Sequence, residues 1–570
     1  MKNVRNLSFI LFIMFLFYGQ ENLMAQPVIE WTARLNGLID STDVALDLVV
    51  DASGNTYVTG YSNSVLGLLT GAVTVSYDPA GNQRWRSEYD QLLNDAGTVI
   101  AMDNSGQYIY MAGYTNALLN LTGADYLVIK YRASDGQQIW ARTYGYGLLG
   151  DDKATGLVID SFNNPIVTGY SQGFLLLLTP YDFATVKYDA NGNQLWAARY
   201  NGTGNNNDKA FGIAVDSEDN IVVSGESFGA GSGYDYATVK YNSNGTQQWV
   251  RRYNGPGNNE DRAYAIVVDN SDNIIVTGES TGSSSGTDYA TVKYNSAGNQ
   301  QWVNRYNGPG NNEDRAYAIV VDNTDNVIVT GSSRSSNAAG SEDYATVKYN
   351  PTGTQLWASR YNGTGSNEDR AYAIVVDNTD NIFVTGSSRS TGFAGSEDYA
   401  SVMYNPSGTE VWAVRYNGTG SNEDRAYAIV VDNSDNIYIT GSSRNGSILG
   451  SEDYLTVKYS REDLVHTPPY SGIVPSEFSL YQNYPNPFNP LTIINFDMPK
   501  AGFVSLKIFN NLGMETVVLL NDVKGAGIHS VAWNAGNLPS GVYFYRLEVF
   551  SDLSGYTKEY SETKKLLLVK

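Results

Sequence analysis

The sequence predicts an all-β protein: an eight-bladed β-propeller closed by its N-terminal strand, followed by a small immunoglobulin-like β-sandwich. Three observations carry that expectation. Trp31, Trp85, Trp140, Trp196, Trp249, Trp302, Trp357 and Trp412 recur 53 to 56 residues apart, and a fixed long period marks a repeat architecture. Turn and strand formers dominate, with 57 Gly and 43 Tyr among 570 residues. The first repeat piece, "IEWTARLNG", is a lone Trp strand, whereas the last unit stops at "DYLTVKYS" without one. Pairing the two completes eight sheets and leaves no apolar edge open.

The elements follow in chain order. Residues 1–25 read as a signal peptide: Lys2 and Arg5, then an apolar run from Leu7 to Tyr18, then Leu-Met-Ala with a cut expected after Ala25. The run is too short and wrongly flanked for a stable span, so the mature chain is expected to have no transmembrane segment. Residues 27–459 hold the repeats. Each unit offers four strands, exemplified by "AYAIVVDN", "NIIVTGES", "DYATVKYN" and the following Trp strand. "AIVVD" is nearly all apolar and reads as the innermost strand, covered on both faces. Turns such as "DNSDN" and "NSNG" supply residues that tolerate positive φ. Gly closes the next strand in each unit, from Gly60 to Gly441.

An Asp heads the innermost strand in all eight units: Asp43, Asp95, Asp152, Asp208, Asp261, Asp314, Asp369 and Asp424. These read as structural, the carboxylate accepting loop N–H groups and the following Lys or Arg, present in six units, balancing its charge. Glu260, Glu313, Glu368 and Glu423 precede it only in the last four units. The loop before the "DYATVKYN" strand shares their face and brings Asp288, Asp343, Asp398 and Asp453. One face of these blades is therefore expected to be strongly acidic. Those eight residues are the candidate ligand-binding set.

"DRAYAIVVDNSDNIIVTG" resembles the SBBP-type β-propeller repeats of secreted bacterial proteins over about Trp31 to Tyr459. The resemblance implies a fold and little about activity; the family name implies seven blades, and this chain has eight units. Residues 460–476 read as a linker and residues 477–570 as a separate β-domain. "YQNYPNPFNPLTIINFDMPKAGFVSLKIFNNLGMETVVLL", "WNAGNLPSGVYFYRLE" and "KKLLLVK" are similar to the type A C-terminal sorting domain of type IX secretion cargo in Bacteroidetes-type bacteria. The matching residues are Pro485, Asn486, Pro487, Gly541, Tyr543, Lys564 and Lys565. The resemblance implies the type IX translocon as a partner, and release or display at the outer-membrane surface of a Gram-negative cell.

Composition excludes several chemistries. The formal charge of −22 argues against nucleic acid and anionic membranes, which need a basic footprint. Without Cys there is no thiolate metal site or Cys nucleophile. The two His, His466 and His529, lie outside the repeats, which removes a Ser-His-Asp triad from the propeller. The expected protein is a monomeric, non-enzymatic binding or scaffold propeller without an assigned metal. Calcium is the cofactor its acidic face would take, and a polysaccharide or a protein its other ligands. A carbohydrate-active hydrolase or lyase using face carboxylates, and a purely structural envelope component, are the alternatives.

Overall fold

The structure, a computed structural model, describes residues 27–569 apart from 38–41, 64–68, 92–93, 117–122, 147–149, 174–178, 337–339, 364–366, 391–396, 419–422, 445–451, 461–474, 476, 484–485, 487, 489–490, 501, 525–526, 536–537 and 551–557. The signal peptide, most of the 460–476 linker, Pro485 and Pro487 lie outside the described residues. The chain divides into two compact units, Met1–Glu462 and Asp463–Lys570.

The first unit is the eight-bladed ring. Its inner strands are Asp43–Val50, Ala96–Met102, Asp152–Ile159, Asp208–Val215, Asp261–Val268, Asp314–Val321, Asp369–Val376 and Asp424–Val431, which number blades 1 to 8. In blade 5 the inner strand is followed by Ile274–Thr281, Thr287–Tyr294 and Gln300–Tyr306, each hydrogen-bonded antiparallel to the one before. Blade 8 takes as its fourth strand Val28–Leu35, which runs antiparallel to Glu452–Ser460 with Leu35 opposite Tyr454. Each inner strand packs against the next around the axis, and Asp43–Val50 meets Asp424–Val431.

Burial refines the expectation for the innermost strand. In blade 5 the second and third strands are almost wholly buried, whereas Tyr264–Val268 are only half-buried. One face of the inner strand lines the central channel, so its apolar run is covered on the blade side alone. The core lies between blades: Val222 and Tyr236 of blade 4 pack with Ala263, Ile274 and Ala290 of blade 5, and the Tyr236 hydroxyl donates to the Ala290 carbonyl at 3.0 Å.

Two glycines show why the repeat spells what it does. Gly278 sits within its strand rather than at its end, opposite a β-bulge between Ala263 and Ala265, where a Cβ would collide with the Arg262 carbonyl. The bulge leaves Tyr264 unpaired and turns it toward the channel mouth. Gly298 holds φ +79° in the turn before the outer strand, and a Cβ there would stand 2.8 Å from the Trp249 ring of blade 4. The Trp249 indole N–H donates to the Ser296 carbonyl of that same turn at 3.1 Å. Trp31 makes the equivalent bond to Pro79 of blade 1, at 3.0 Å, across the ring's seam.

The second unit packs a sheet in the order Glu515–Lys524, Gly502–Phe509, Gly541–Phe550, Lys558–Leu568 against a smaller one of Ser479–Leu480, Leu491–Met498 and Gly527–Asn534. Phe496, Leu506, Trp533, Tyr545 and Leu566 share its core, as in the immunoglobulin-like sandwich expected.

Candidate functional site

The aspartates that head the inner strands are loop clamps. Asp261 accepts the Gly255 N–H at 2.6 Å and the Thr281 N–H at 3.0 Å, and the equivalent bonds run from Gly37 to Asp43, Gly202 to Asp208, Gly308 to Asp314, Gly363 to Asp369 and Gly418 to Asp424. Asp95 and Asp152 use Gln91 and Tyr146 instead. Burial raises all eight carboxyls, and Asp152, Asp369 and Asp424 reach about 6. The basic residue that follows does not balance this charge. Arg262 turns away from Asp261 to bridge Glu226 of blade 4, at 2.8 Å, and Glu279 of its own blade, at 2.9 Å.

That arrangement corrects the expectation of a strongly acidic face. Glu260 pairs with Arg262 at 2.7 Å, Glu313 with Arg315 at 3.3 Å and Arg334 at 3.2 Å, Glu368 with Arg370 and Arg389, and Glu423 with Arg425 and Arg444. Glu279 is held between Arg262 and Arg315, Glu342 between Arg334 and Arg370, and Glu397 between Arg389 and Arg425. Alternating charges thus link blades 4 to 8 in a continuous belt. The second candidate set is also engaged. Asp288, Asp343, Asp398 and Asp453 are buried and paired with Arg305, Arg360, Arg415 and Arg34 at 2.7 to 2.9 Å. Among the described residues no group of three acids converges as a cation would need.

Inside the belt runs an aromatic arc. The bulge residues Phe211, Tyr264, Tyr317, Tyr372 and Tyr427 stand 5.8 to 5.9 Å apart, centroid to centroid, from blade to blade. Burial and the adjacent Glu279 carboxylate, which accepts its O–H at 2.9 Å, raise the Tyr264 phenol well above its ordinary range.

Blades 1 to 3 break this pattern. Their bulge residues are Leu46, Thr98 and Thr155, and the residue after the strand glycine is Tyr61, Tyr114 or Tyr170 in place of Glu226, Glu279 or Ser332. Two positions further on stand Asn63, Asn116 and Gln172, where blades 6 to 8 carry Arg334, Arg389 and Arg444. The cation after the head aspartate is missing in blades 1 and 2, where Val44 and Ala96 replace it. In blade 3 Lys153 lies over the Tyr114 ring, 4.7 Å from its centroid. A cavity of about 380 Å³ opens here, walled by Tyr61, Tyr114, Asn94, Asn116, Asp151 and Lys153. Burial pushes the Tyr61 phenol up to about 12, so it is a hydroxyl donor and not a phenolate at neutral pH. The signal for these residues lies in the first three units and not in the near-identical later ones. Aligning "GYSN", "GYTN" and "GYSQ" against three copies of "GSSR" is the signal that exposes them.

One further acid is buried between two inner strands. Asp47 of blade 1, where other blades carry Val99, Gly156, Gly212 or Ala, accepts the Ile100 N–H of blade 2 at 2.9 Å, and burial raises it to about 7.

In the second unit Asn486 accepts the Leu567 N–H at 2.9 Å, Gly541 pairs with Leu568, and Tyr543 is buried with its hydroxyl on the Pro539 carbonyl. Lys564 pairs with Glu562 at 3.2 Å, and Lys565 is opposite Phe544 in the sheet.

Residues 482–558 match the family model of the secretion system C-terminal sorting domain. The chain is also 22% identical over 498 residues to an uncharacterized WD repeat-containing protein of Acanthamoeba polyphaga mimivirus, a match covering 78% of this chain and 32% of that protein. The chain therefore spans about a third of the length of that curated relative. Among solved structures it is similar to BamB from Moraxella catarrhalis, with 14% identity, a TM-score of 0.42, and coverage of 76% of this chain and all of that one. It is similar too to PorZ, described as an essential bacterial surface component of the type-IX secretion system of Porphyromonas gingivalis. That match has 15% identity and a TM-score of 0.33, covering 92% of this chain and 74% of PorZ. The sorting domain marks the protein as secreted and attached to the cell surface of a Bacteroidetes-type Gram-negative bacterium.

Proposed function

We propose that this protein is a non-enzymatic recognition module: a propeller carried to the cell surface by its sorting domain, which meets an extracellular polysaccharide or protein on the face of the aspartate clamps. The observation that supports this reading most is the engagement of the face carboxylates. Acid–base cleavage of a glycosidic bond requires two carboxyls in contrasting settings flanking one bond. Here the glutamates of blades 4 to 8 lie across arginines, and Asp288, Asp343, Asp398 and Asp453 are held by the outer-strand arginines. Such a face offers shape, aromatic surface and paired charge, which suit binding.

The test incubates the mature, full-length protein with bacterial and plant polysaccharides and with solubilised surface proteins, following both binding and product release. Saturable binding with no new reducing ends or unsaturated products is expected. Turnover of any of these substrates would overturn the reading in favour of an enzyme.

A further inference from the structure

The clamp face divides into two chemically distinct halves, and the smaller half has the makings of a site. In blades 4 to 8 almost every polar group facing the mouth is spent on a neighbour: arginine on glutamate, Tyr264 on Glu279. In blades 1 to 3 the same positions hold tyrosines and amides, and the cavity of about 380 Å³ opens there. The repeat is its own control. The backbone positions are equivalent in every blade, so the fold does not require Tyr61, Tyr114, Asn94 or Asn116 where they stand.

We infer that this cavity is a saccharide-binding site, with Tyr61 and Tyr114 as its apolar platforms and Asn94, Asn116, Asp151 and Lys153 as its polar contacts. Sugar rings present C–H faces that pack on aromatic rings, and hydroxyls that both donate and accept. The wall matches both demands. The amides of Asn94 and Asn116 donate and accept; the buried Oδ1 of Asn116 accepts no hydrogen bond among the described residues. Asp151 accepts the Ala124 N–H at 2.9 Å through Oδ1, and its carboxylate, on the cavity wall, would also accept from a hydroxyl. Lys153, over the Tyr114 ring, adds a single cation that would also take a sugar carboxylate. A protein partner would instead favour the Arg–Glu half, whose alternating charges complement another charged surface.

The inference rests on the recognition reading above, and the experiment separates the two. The full mature chain is titrated by calorimetry with defined hexasaccharides, namely cello-, xylo-, manno- and chitohexaose, and with hexagalacturonate as the acidic probe. At least one should bind saturably. Tyr61→Ala, Tyr114→Ala and Asn116→Ala should each weaken it by roughly tenfold or more, while Arg334→Gln, on the other half of the face, leaves it unchanged. Tyr114→Phe, which keeps the platform, should retain most of the affinity and guards against a folding defect. Binding lost in Arg334→Gln and intact in Tyr61→Ala and Tyr114→Ala would overturn the site but preserve recognition. No binding of any probe at millimolar concentration would overturn the saccharide assignment. Cleavage of a probe would overturn the recognition reading itself.

Discussion

Arg34, in the N-terminal strand, donates to Asp453 of the last blade at 2.9 Å, although the two are 419 residues apart in sequence. The same guanidinium donates to Ser443 Oγ and to the Ser443 carbonyl, as Arg252 does to Ser227 beside Asp235. The seam thus repeats the ion pair that every blade from 3 to 7 makes internally. Arg34→Ala removes the arginine that pairs with Asp453, whose side chain is 1% exposed. With the arginine itself partly exposed, the expected loss is roughly 2 kcal/mol, read from urea denaturation. Arg132→Ala, at a solvent-exposed pair with Asp135, should leave the denaturation midpoint almost unchanged. Equal effects would mean the seam pair does not hold the ring.

Gly298→Ala meets two obstacles at once, a positive φ and the Trp249 ring. A loss of about 1–3 kcal/mol is expected. Gly340 shares φ +79° but faces open space, so Gly340→Ala should cost only about 1 kcal/mol of backbone strain. Thermal melts of the two variants side by side test whether the tryptophan contact, beyond the dihedral, fixes the glycine.

Stability should peak in mild acid. The eight head aspartates have carboxyls raised by burial, three of them to about 6, and Asp47 to about 7. A carboxyl with a higher pKa in the fold than in the unfolded chain takes up a proton on folding, so its support is complete below about pH 4 and fades as pH rises through the folded value. Asp160, Asp216, Asp269 and Asp322 oppose this at the acid end. Burial would raise them, but lysine and asparagine contacts outweigh it and hold them low. Their contribution is present above about pH 4 and lost as pH falls through the folded values. The melting temperature should therefore be greatest between about pH 4 and 6. A maximum above pH 7 would show that the buried aspartates are not the controlling groups.

Calcium should leave the propeller's melting temperature as it is in chelator. Glu279, Glu313, Glu368 and Glu423 already face arginines, and a cation would have to displace them. A saturable rise in melting temperature, abolished by Glu313→Gln with Glu368→Gln, would reveal that exchange.

Removing residues 477–570 should leave the folded propeller inside the outer membrane, because the segment that matches the sorting family is gone. Fractionation with a melting control on the trapped protein tests it. Normal surface levels of the truncated chain would refute the sorting assignment.

The ring was legible in the sequence because its determinants recur: Trp249 and Gly298 mark an interface and a turn at fixed spacing, and the lone Trp31 strand discloses the closure. The pairing of charges was not. Arg262 reaches Glu226 and Arg315 reaches Glu279, each 36 residues back and in another blade. The adjacent Asp-Arg letters suggested a local balance that the strand geometry forbids, since successive strand residues point to opposite faces, whereas Glu260, two residues before Arg262, does pair with it. The half-burial of Tyr264–Val268 was hidden for a related reason, because an apolar run reads alike whether its far side meets a sheet or a channel. Tyr61 and Tyr114 were visible as letters, but only comparison with Glu279 and Ser332 at the same register gives them meaning.

The forward reach of each tryptophan carries one more consequence. Trp31 grips the turn of blade 1 as Trp249 grips that of blade 5, and Trp85, Trp140, Trp196, Trp302 and Trp357 do the same for the blades that follow them, so these seven junctions are head-to-tail. A directional junction repeated without end either returns to its start or grows into a filament, and the turn made at each step decides which. Eight copies must each rotate by an eighth of a circle. The near-identical units from Tyr253 onward can therefore change in number only by straining the junctions of the ring.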